Sequence, residues 1–173
     1  MRRQRRLENP LLEFSIFLNP AFSAGVLAAA FAMFAIGGIQ LVTTQRFQLV
    51  VGFSPLEAGL LVAVIAVGSL PTALLGGAFL HRVGLLALIT GGLAVATGGV
   101  VVTVVGFQSS FGVLVLGLLV TSAGLGAAMS VASTAIIGNV PVRRAGMAAS
   151  LEEVSYEFGS LIAVSVLGSL LTC

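Results

Sequence analysis

The sequence predicts an all-α, polytopic membrane protein with about five transmembrane helices. First, 58% of the 173 residues are hydrophobic and only 8% are charged, whereas a soluble domain has about 25% charged residues. Second, five apolar segments are long enough to cross a bilayer, which takes about 20 residues each. Third, none of the five alternates with the period of two that a transmembrane barrel shows. The composition excludes a soluble enzyme, a nucleic-acid-binding domain and a disordered protein.

Residues 1–20 form a basic, amphipathic segment that we expect on the cytoplasmic side, ahead of the first span. Four of the eight Arg lie at its start, where positive charge that flanks a membrane is a simpler interpretation than a nucleic-acid partner. Glu8, Pro10 and Glu13 precede any apolar run, unlike the residues of a secretory signal peptide. We expect residues 11–17 to lie along the membrane face.

The remaining residues, 21–173, are expected to form a partial transmembrane bundle. Pro20 suits the first turn of a helix, and Ser54 with Glu57 predicts a capping box that opens the second helix. Pro71 lies inside the second span, and we expect a kink there. The five predicted spans cover about 21–42, 56–80, 83–106, 111–137 and 145–171.

The Arg residues predict the orientation of the spans. With a cytoplasmic N-terminus, seven Arg lie inside and only Arg46 lies outside, as the positive-inside rule requires. Five spans then place Cys173, the only cysteine, at the outer face. The seven inner residues are Arg2, Arg3, Arg5, Arg6, Arg82, Arg143 and Arg144.

Glycine is a further compositional signal, with 22 residues. Many of them lie inside the predicted spans, in pairs such as Gly37-Gly38 and Gly98-Gly99. Small residues let membrane helices approach closely, and they also let helices slide past each other, as a transporter requires. The glycine content alone does not separate packing from motion.

The most informative residues lie in the fifth span, where Glu152, Glu153, Tyr156 and Glu157 interrupt an apolar run. An acidic residue at the centre of a span costs about 2.5–3.5 kcal/mol on insertion scales, so such carboxylates face a wet cavity or carry a proton. Four-residue spacing places Glu153 and Glu157 on one face, and Glu152 and Tyr156 on another. With a helix that starts near Ala145, Glu157 lies about 18 Å along it and is the deepest of the three acids.

This wide polar sector predicts a site at which a cation and a proton compete. Burial favours the protonated carboxyl group, whereas a bound cation favours the ionised form. The alternative is that the glutamates lie near the cytoplasmic rim and pair with Arg143 and Arg144. No His or Asp accompanies the three glutamates, so no metal site is predicted.

Weaker candidates surround this site. Ser69, in the second span, is placed to turn a hydroxyl into the same cavity, although packing explains it equally well. Tyr156 is suited to stacking on a cation, and an interhelical hydrogen bond is the alternative. Four residues of the first span suit an apolar pocket or, more simply, packing: Phe22, Phe31, Met33 and Phe34.

The run RRAGMAASLEEVSYEFG at residues 143–159 resembles the penultimate helix of the 14-span drug:proton antiporters of the major facilitator superfamily. The nearest branch is that of methyl viologen and quaternary ammonium efflux, the SmvA and QacA type. Residues 6–13, RLENPLLE, resemble the segment that leads into the C-terminal six-helix bundle of this family. Residues 54–59, SPLEAG, resemble the opening of that bundle's second helix. The resemblance extends over essentially the whole chain.

The resemblance implies an inner-membrane secondary transporter, not an enzyme, that exports cationic lipophilic drugs and biocides in exchange for protons. It implies no cofactor, because the proton gradient supplies the energy. The partners are then the lipid bilayer, small cations and protons, with no nucleic acid. The acidic residues of the family's helix carry over onto Glu152, Glu153 and Glu157.

The family's cytoplasmic loop motif is only partly present, as Gly77, Arg82 and Gly84, with His81 where the family has Asp. A gating salt bridge is therefore not expected from this loop. The resemblance also implies that the five helices belong to the last six of a transporter, so that the N-terminal bundle and the final helix are required for activity. The alternative is a non-transporting, truncated or structural membrane protein that packs with other helices.

Overall fold

The computed structural model describes residues 14–171. A 3-10 turn, Phe14–Leu18, precedes the first of five α-helices, a π-helical segment follows it, and a second 3-10 turn precedes the fifth. The expectations for residues 1–13 and for Cys173 lie outside the described residues. The helices are α1 (Pro20–Gln45), α2 (Pro55–Val83), α3 (Leu85–Gly106), α4 (Phe111–Gly138) and α5 (Ala145–Leu171).

Side chains cap the starts of α1 and α2. Asn19 Oδ1 accepts a hydrogen bond from the Ala21 amide at 3.0 Å, with Pro20 in the first turn of α1. At the start of α2, Glu57 Oε2 accepts from the Ser54 amide at 2.8 Å, and Ser54 Oγ accepts from the Glu57 amide at 3.4 Å. The predicted capping box is therefore confirmed. These bonds satisfy amides that the first turn of a helix leaves without a partner.

Two helical segments extend beyond the predicted membrane spans, for the same physical reason. Helix α1 continues beyond residue 42 to Gln45 and then into the π-helical segment Arg46–Val51, which ends at Gly52 with φ 77°. Helix α2 continues through the charged end of its span to Val83, and Gly84, with φ 89°, is the single residue before α3. A span predicted from hydropathy ends where the apolar run ends. Polar residues beyond that point can still extend the helix, because backbone hydrogen bonds continue through them. Positive φ values at glycine mark the true ends.

Helix α4 is the central helix of the described bundle. It packs on α3, α2 and α1, whereas α5 packs mainly on α1. Thirteen residues of α4 are buried, and none of its residues is ionisable. The bundle therefore has an apolar centre, and its charged residues lie at helix ends or on α5.

The contact between α3 and α4 brings the two backbones together. A Cβ atom on Gly99 would lie 2.7 Å from Thr121 Cα, and a Cβ atom on Gly117 would lie 2.7 Å from Thr103 Cα. One on Gly124 would lie 2.5 Å from the Ala96 amide nitrogen. Side chains larger than hydrogen do not fit at these positions. Close packing of α3 on α4 therefore explains these three glycines, whose role the sequence alone did not decide.

Four helical segments of the described chain are long and apolar enough to cross a membrane. The protein is therefore multi-pass. Helix α5, with 27 residues, is long enough to cross a bilayer, and its membrane span stays a prediction. The four segments are Pro20–Val51, Pro55–Ala78, Leu85–Gly106 and Phe111–Gly138.

The connections alternate between the two ends of the bundle, as spans do. At one end, the guanidinium of Arg46 after α1 lies 4.8 Å from the ring centroid of Phe107 after α3. At the other end, Ile16 before α1 belongs to a core cluster against which Leu80 of α2 and Val140 after α4 pack. The first and third connections therefore share one end, and the second and fourth share the other.

We expect Gly99→Ala to lower the free energy of unfolding by about 1–3 kcal/mol, because the methyl group overpacks a backbone contact. The matched control is Gly98→Ala on the same helix, since nothing lies within 4 Å of a Cβ atom there. Thermal unfolding of the purified protein in detergent measures both. Equal melting temperatures for the two variants would contradict the close approach of α3 and α4.

Candidate functional site

Helix α5 presents a stripe of small residues to the bundle. Ala148, Ser155, Gly159 and Ala163 are all buried at intervals of four or seven residues, the spacing of one helix face. The tightest contact joins Gly159 to the Ala30 carbonyl group of α1. Because the two helices lie so close, the rotation of α5 about its axis is fixed by this stripe.

Glu152 lies in the same stripe and is only 8% exposed. The Tyr156 hydroxyl donates a hydrogen bond of 2.6 Å to Glu152 Oε1. Helices α1 and α4, the two that pack on α5, contain no ionisable residue. The carboxyl group is thus enclosed by helices that offer it no counter-charge.

Glu153 and Glu157 lie on the opposite side of α5 and are exposed. Their neighbours Val154, Phe158 and Leu161 are 61–62% exposed. The two acids therefore belong to a face that the described helices leave uncovered, with both charge and apolar surface. The sequence ranked Glu157 deepest along the helix, but the neighbouring helices bury Glu152 instead.

Tyr156 has a partner on its own helix. From the sequence, Tyr156 was a candidate for contact with a cation or for a hydrogen bond to a neighbouring helix. In the structure its hydroxyl bonds to Glu152, one helical turn earlier. Its ring packs at the edge of the core cluster that contains Val131 and Ile136 of α4. The four-residue spacing of Glu152 and Tyr156 in the sequence is compatible with this hydrogen bond.

The structure does not bring Ser69 to the glutamates. Its hydroxyl donates to the Ala66 carbonyl oxygen at 3.1 Å on its own helix. Its backbone lies against Gly126 of α4, where an added Cβ atom would come 2.9 Å from Ser69 Cα. Helix α2 packs on α4, whereas α5 packs mainly on α1. Ser69 therefore packs on α4 through its backbone, and its role at the site stays a prediction.

The partial loop motif lies at the other end of α2. Gly77 faces α4, where an added Cβ atom would lie 3.7 Å from Ser130 Oγ. Arg82 is exposed, and Gly84 makes the turn to α3, with its amide donating to the Leu80 carbonyl oxygen at 3.1 Å. The motif therefore forms a tight connection in this chain.

Sequence reasoning missed an aromatic cluster around the π-helical segment. The Phe47 ring lies 4.9 Å from Phe53, 6.3 Å from Phe107 and 6.1 Å from Phe111, centroid to centroid. Arg46 adds a cation–π contact with Phe107 and a 3.5 Å hydrogen bond from Nη2 to its carbonyl oxygen. The cluster ties the end of α1 to the turn between α3 and α4. Its members lie far apart in the sequence, so no local pattern predicts it.

Two apolar cavities of similar volume border α1. One, of about 290 Å³, lies between α1, α3 and α5 and includes Phe34 and Leu167. The other, of about 270 Å³, lies between α1 and α5 and includes Phe31, Phe34 and Phe158. Phe31 and Phe34 thus line pockets, as one interpretation of the first span allowed, whereas Phe22 is fully buried. In the described residues, no group of three His, Cys, Asp or Glu is placed to hold a metal ion.

Comparison with known proteins identifies the family. The sequence profile of the Major Facilitator Superfamily matches residues 4–172, almost the entire chain. The chain belongs to the Major Facilitator Superfamily. This membership confirms the resemblance seen in the fifth helix and accounts for the all-helical bundle.

Similar members of the superfamily are named as efflux, resistance or transport proteins. Multidrug efflux pump LfrA of Mycolicibacterium smegmatis is 27% identical over 99% of this chain and 34% of its own length. Methyl viologen resistance protein SmvA of Salmonella typhimurium is 29% identical over 99% of the chain and 35% of its own length. The probable actinorhodin transporter of Streptomyces coelicolor is 28% identical over 98% of the chain and 30% of its own length. The chain spans about a third of the length of these relatives.

We expect Gly37→Cys combined with Ala163→Cys to form a disulfide bond in a Cys173→Ser background. An added Cβ atom on Gly37 would lie 3.6 Å from Ala163 Cβ, within the range of a disulfide. Mild oxidation, proteolysis between the helices and electrophoresis with and without reductant measure the bond. The matched control is Gly37→Cys with Val164→Cys, because Val164 is 50% exposed on another face of α5. Equal cross-linking of both pairs would contradict the α1–α5 contact.

Proposed function

We propose that this chain is part of a secondary transporter that exports cationic, lipophilic drugs and biocides, such as quaternary ammonium compounds and methyl viologen, in exchange for protons. Membership of the superfamily and the names of the similar proteins support efflux. The observation that carries the proposal is the uncovered face of α5, where Glu153 and Glu157 lie among exposed apolar side chains.

The chemistry of this face suits a cation with an apolar body. An ionised carboxylate inside a membrane is costly unless it lies in a water-filled cavity or against a positive charge. Glu153 and Glu157 supply the negative charge, and Val154, Phe158 and Leu161 supply apolar contact beside it. A lipophilic cation satisfies both requirements at once, whereas a neutral or anionic substrate leaves the carboxylates without a partner.

Proton coupling follows from competition for the same charge. A proton and a cation both neutralise a carboxylate, so binding of one disfavours binding of the other. Exchange of the two across the membrane then links export of the cation to proton entry. The proton gradient is the only energy source that this mechanism needs, without cofactor or enzymatic step.

The proposal includes the missing parts of the transporter. Members of this superfamily work by rocking two six-helix bundles around a site near the middle of the bilayer. We infer that an N-terminal bundle and a final helix complete the assembly, with the uncovered face of α5 turned toward the substrate cavity. We further infer that the protein lies in the inner membrane with its N-terminus in the cytoplasm.

Glu157→Gln tests the transport role. In cells that express the complete open reading frame containing residues 1–173, the variant is expected to reduce efflux of a fluorescent lipophilic cation on the order of tenfold, because it removes a charged contact worth roughly 1.5–3 kcal/mol. Efflux from energised cells, at matched membrane abundance, is the measurement.

Glu8→Gln is the control for this experiment, since it removes one carboxylate before the first predicted span. It is expected to export the cation at the parental rate. If Glu157→Gln exported the cation at the parental rate, the role proposed for Glu157 would be wrong. A parent that exports no cation, although the protein reaches the membrane, would instead favour a non-transporting membrane protein.

The proposed orientation is tested by single-cysteine labelling in a Cys173→Ser background. Gln48→Cys, after α1, is expected to react with a membrane-impermeant maleimide in intact cells. Val142→Cys, between α4 and α5 and 92% exposed, is expected to react only after the membrane is permeabilised. The reverse pattern would place the N-terminus outside.

A further inference from the structure

The three glutamates of α5 occupy two different environments. We propose that Tyr156 is a positioning residue that holds Glu152 inside the α1–α5 interface as the proton-carrying acid, while Glu153 and Glu157 contact the cation. This inference rests on the proposed function and assigns separate roles within its site.

The burial of Glu152 separates it from a drug-sized cation. The carboxyl group lies in the stripe of small residues that meets α1, where Gly159 touches the Ala30 carbonyl group. The two apolar cavities of about 290 and 270 Å³ that border α1 have linings that do not include Glu152. A proton reaches such a place through a single hydrogen bond, whereas a quaternary ammonium ion does not.

Among the described residues, the polar group that bonds to Glu152 is the Tyr156 hydroxyl. The two helices packed on α5, α1 and α4, carry no ionisable side chain. On α5 itself, Glu153 and Glu157 point away to the exposed face. Arg143 and Arg144 precede Glu152 by eight or nine residues, which is about 12 Å or more along a helix.

The Tyr156 hydroxyl therefore holds the Glu152 carboxyl group in place. Its 2.6 Å bond to Oε1 is the short distance typical of a hydroxyl that donates to a carboxylate. When Glu152 takes up a proton, one oxygen becomes a donor, and the hydroxyl can still donate to the other oxygen. The step is a simple association of one proton with one carboxylate, and it needs no further reactant.

The experiment separates proton coupling from cation binding. The complete open reading frame is reconstituted in liposomes, and two rates are measured with the same lipophilic cation. The first is uptake against a gradient, driven by an imposed pH difference. The second is exchange of labelled for unlabelled cation without a pH difference, which needs binding and movement but no net proton transfer.

Glu152→Gln is expected to abolish pH-driven accumulation and to keep cation exchange within about twofold of the parent. Glu157→Gln is expected to reduce both rates on the order of tenfold, because it removes a charged contact to the cation. Tyr156→Phe keeps the ring that packs on the core and is expected to reduce pH-driven accumulation on the order of tenfold, with exchange retained.

A double-variant cycle tests whether Tyr156 acts through Glu152. Tyr156→Phe is expected to cause no further loss in a Glu152→Asp background, where the acid can still take up a proton but is too short to reach the hydroxyl. In a Ser165→Ala background, which alters an exposed hydroxyl of the same helix, it is expected to cause its full tenfold loss. Melting temperatures in detergent, expected to match the parent, show that neither effect comes from unfolding.

The outcomes distinguish this inference from the proposed function. If the parent exports the cation and Glu152→Gln still accumulates it, the proton role of Glu152 is wrong while efflux stands. If Tyr156→Phe behaves as the parent, or its loss persists fully in the Glu152→Asp background, the positioning role is wrong. A parent that neither accumulates nor exchanges the cation overturns both.

Discussion

Helices α3 and α4 touch backbone to backbone through glycines that recur every seven residues, Gly92, Gly99 and Gly106 on α3 and Gly117 and Gly124 on α4. Without a hydrophobic driving force between helices in lipid, van der Waals contact at this distance is the main source of cohesion. The contact fixes α4 at the centre, and α1 and α2 pack on α4. Helix α5 then depends on α1, so the candidate site is placed by a chain of contacts that begins at these glycines.

Much of the fold could be predicted from the sequence because the bilayer imposes a length on every span. The existence of the helices and the capping box at Ser54 follow from local patterns, and the structure has both. The ends at Val51 and Val83 do not follow, because backbone hydrogen bonding carries a helix past the last apolar residue. The aromatic cluster around Phe47 is equally beyond a local pattern, since it joins residues that are distant in the chain.

Only part of the candidate site could be predicted from the sequence, for a related reason. Helical periodicity alone separates Glu153 and Glu157 from Glu152 and Tyr156. Periodicity does not say which of the two faces meets α1, because that choice depends on small residues such as Gly159 fitting against another helix. Ser69 shows the same limit, since its distance from the glutamates depends on the order of helices around α4.

The uncovered carboxylates also bear on how the protein enters the membrane. Helices α1 to α4 are apolar enough to partition into lipid by themselves, whereas α5 carries acids that lipid solvates poorly. Insertion of α5 is therefore most favourable late, when other helices have already enclosed water for its polar face. The acids proposed to contact the substrate would then also make complete assembly favourable, because a bundle without its partners leaves them in contact with hydrocarbon.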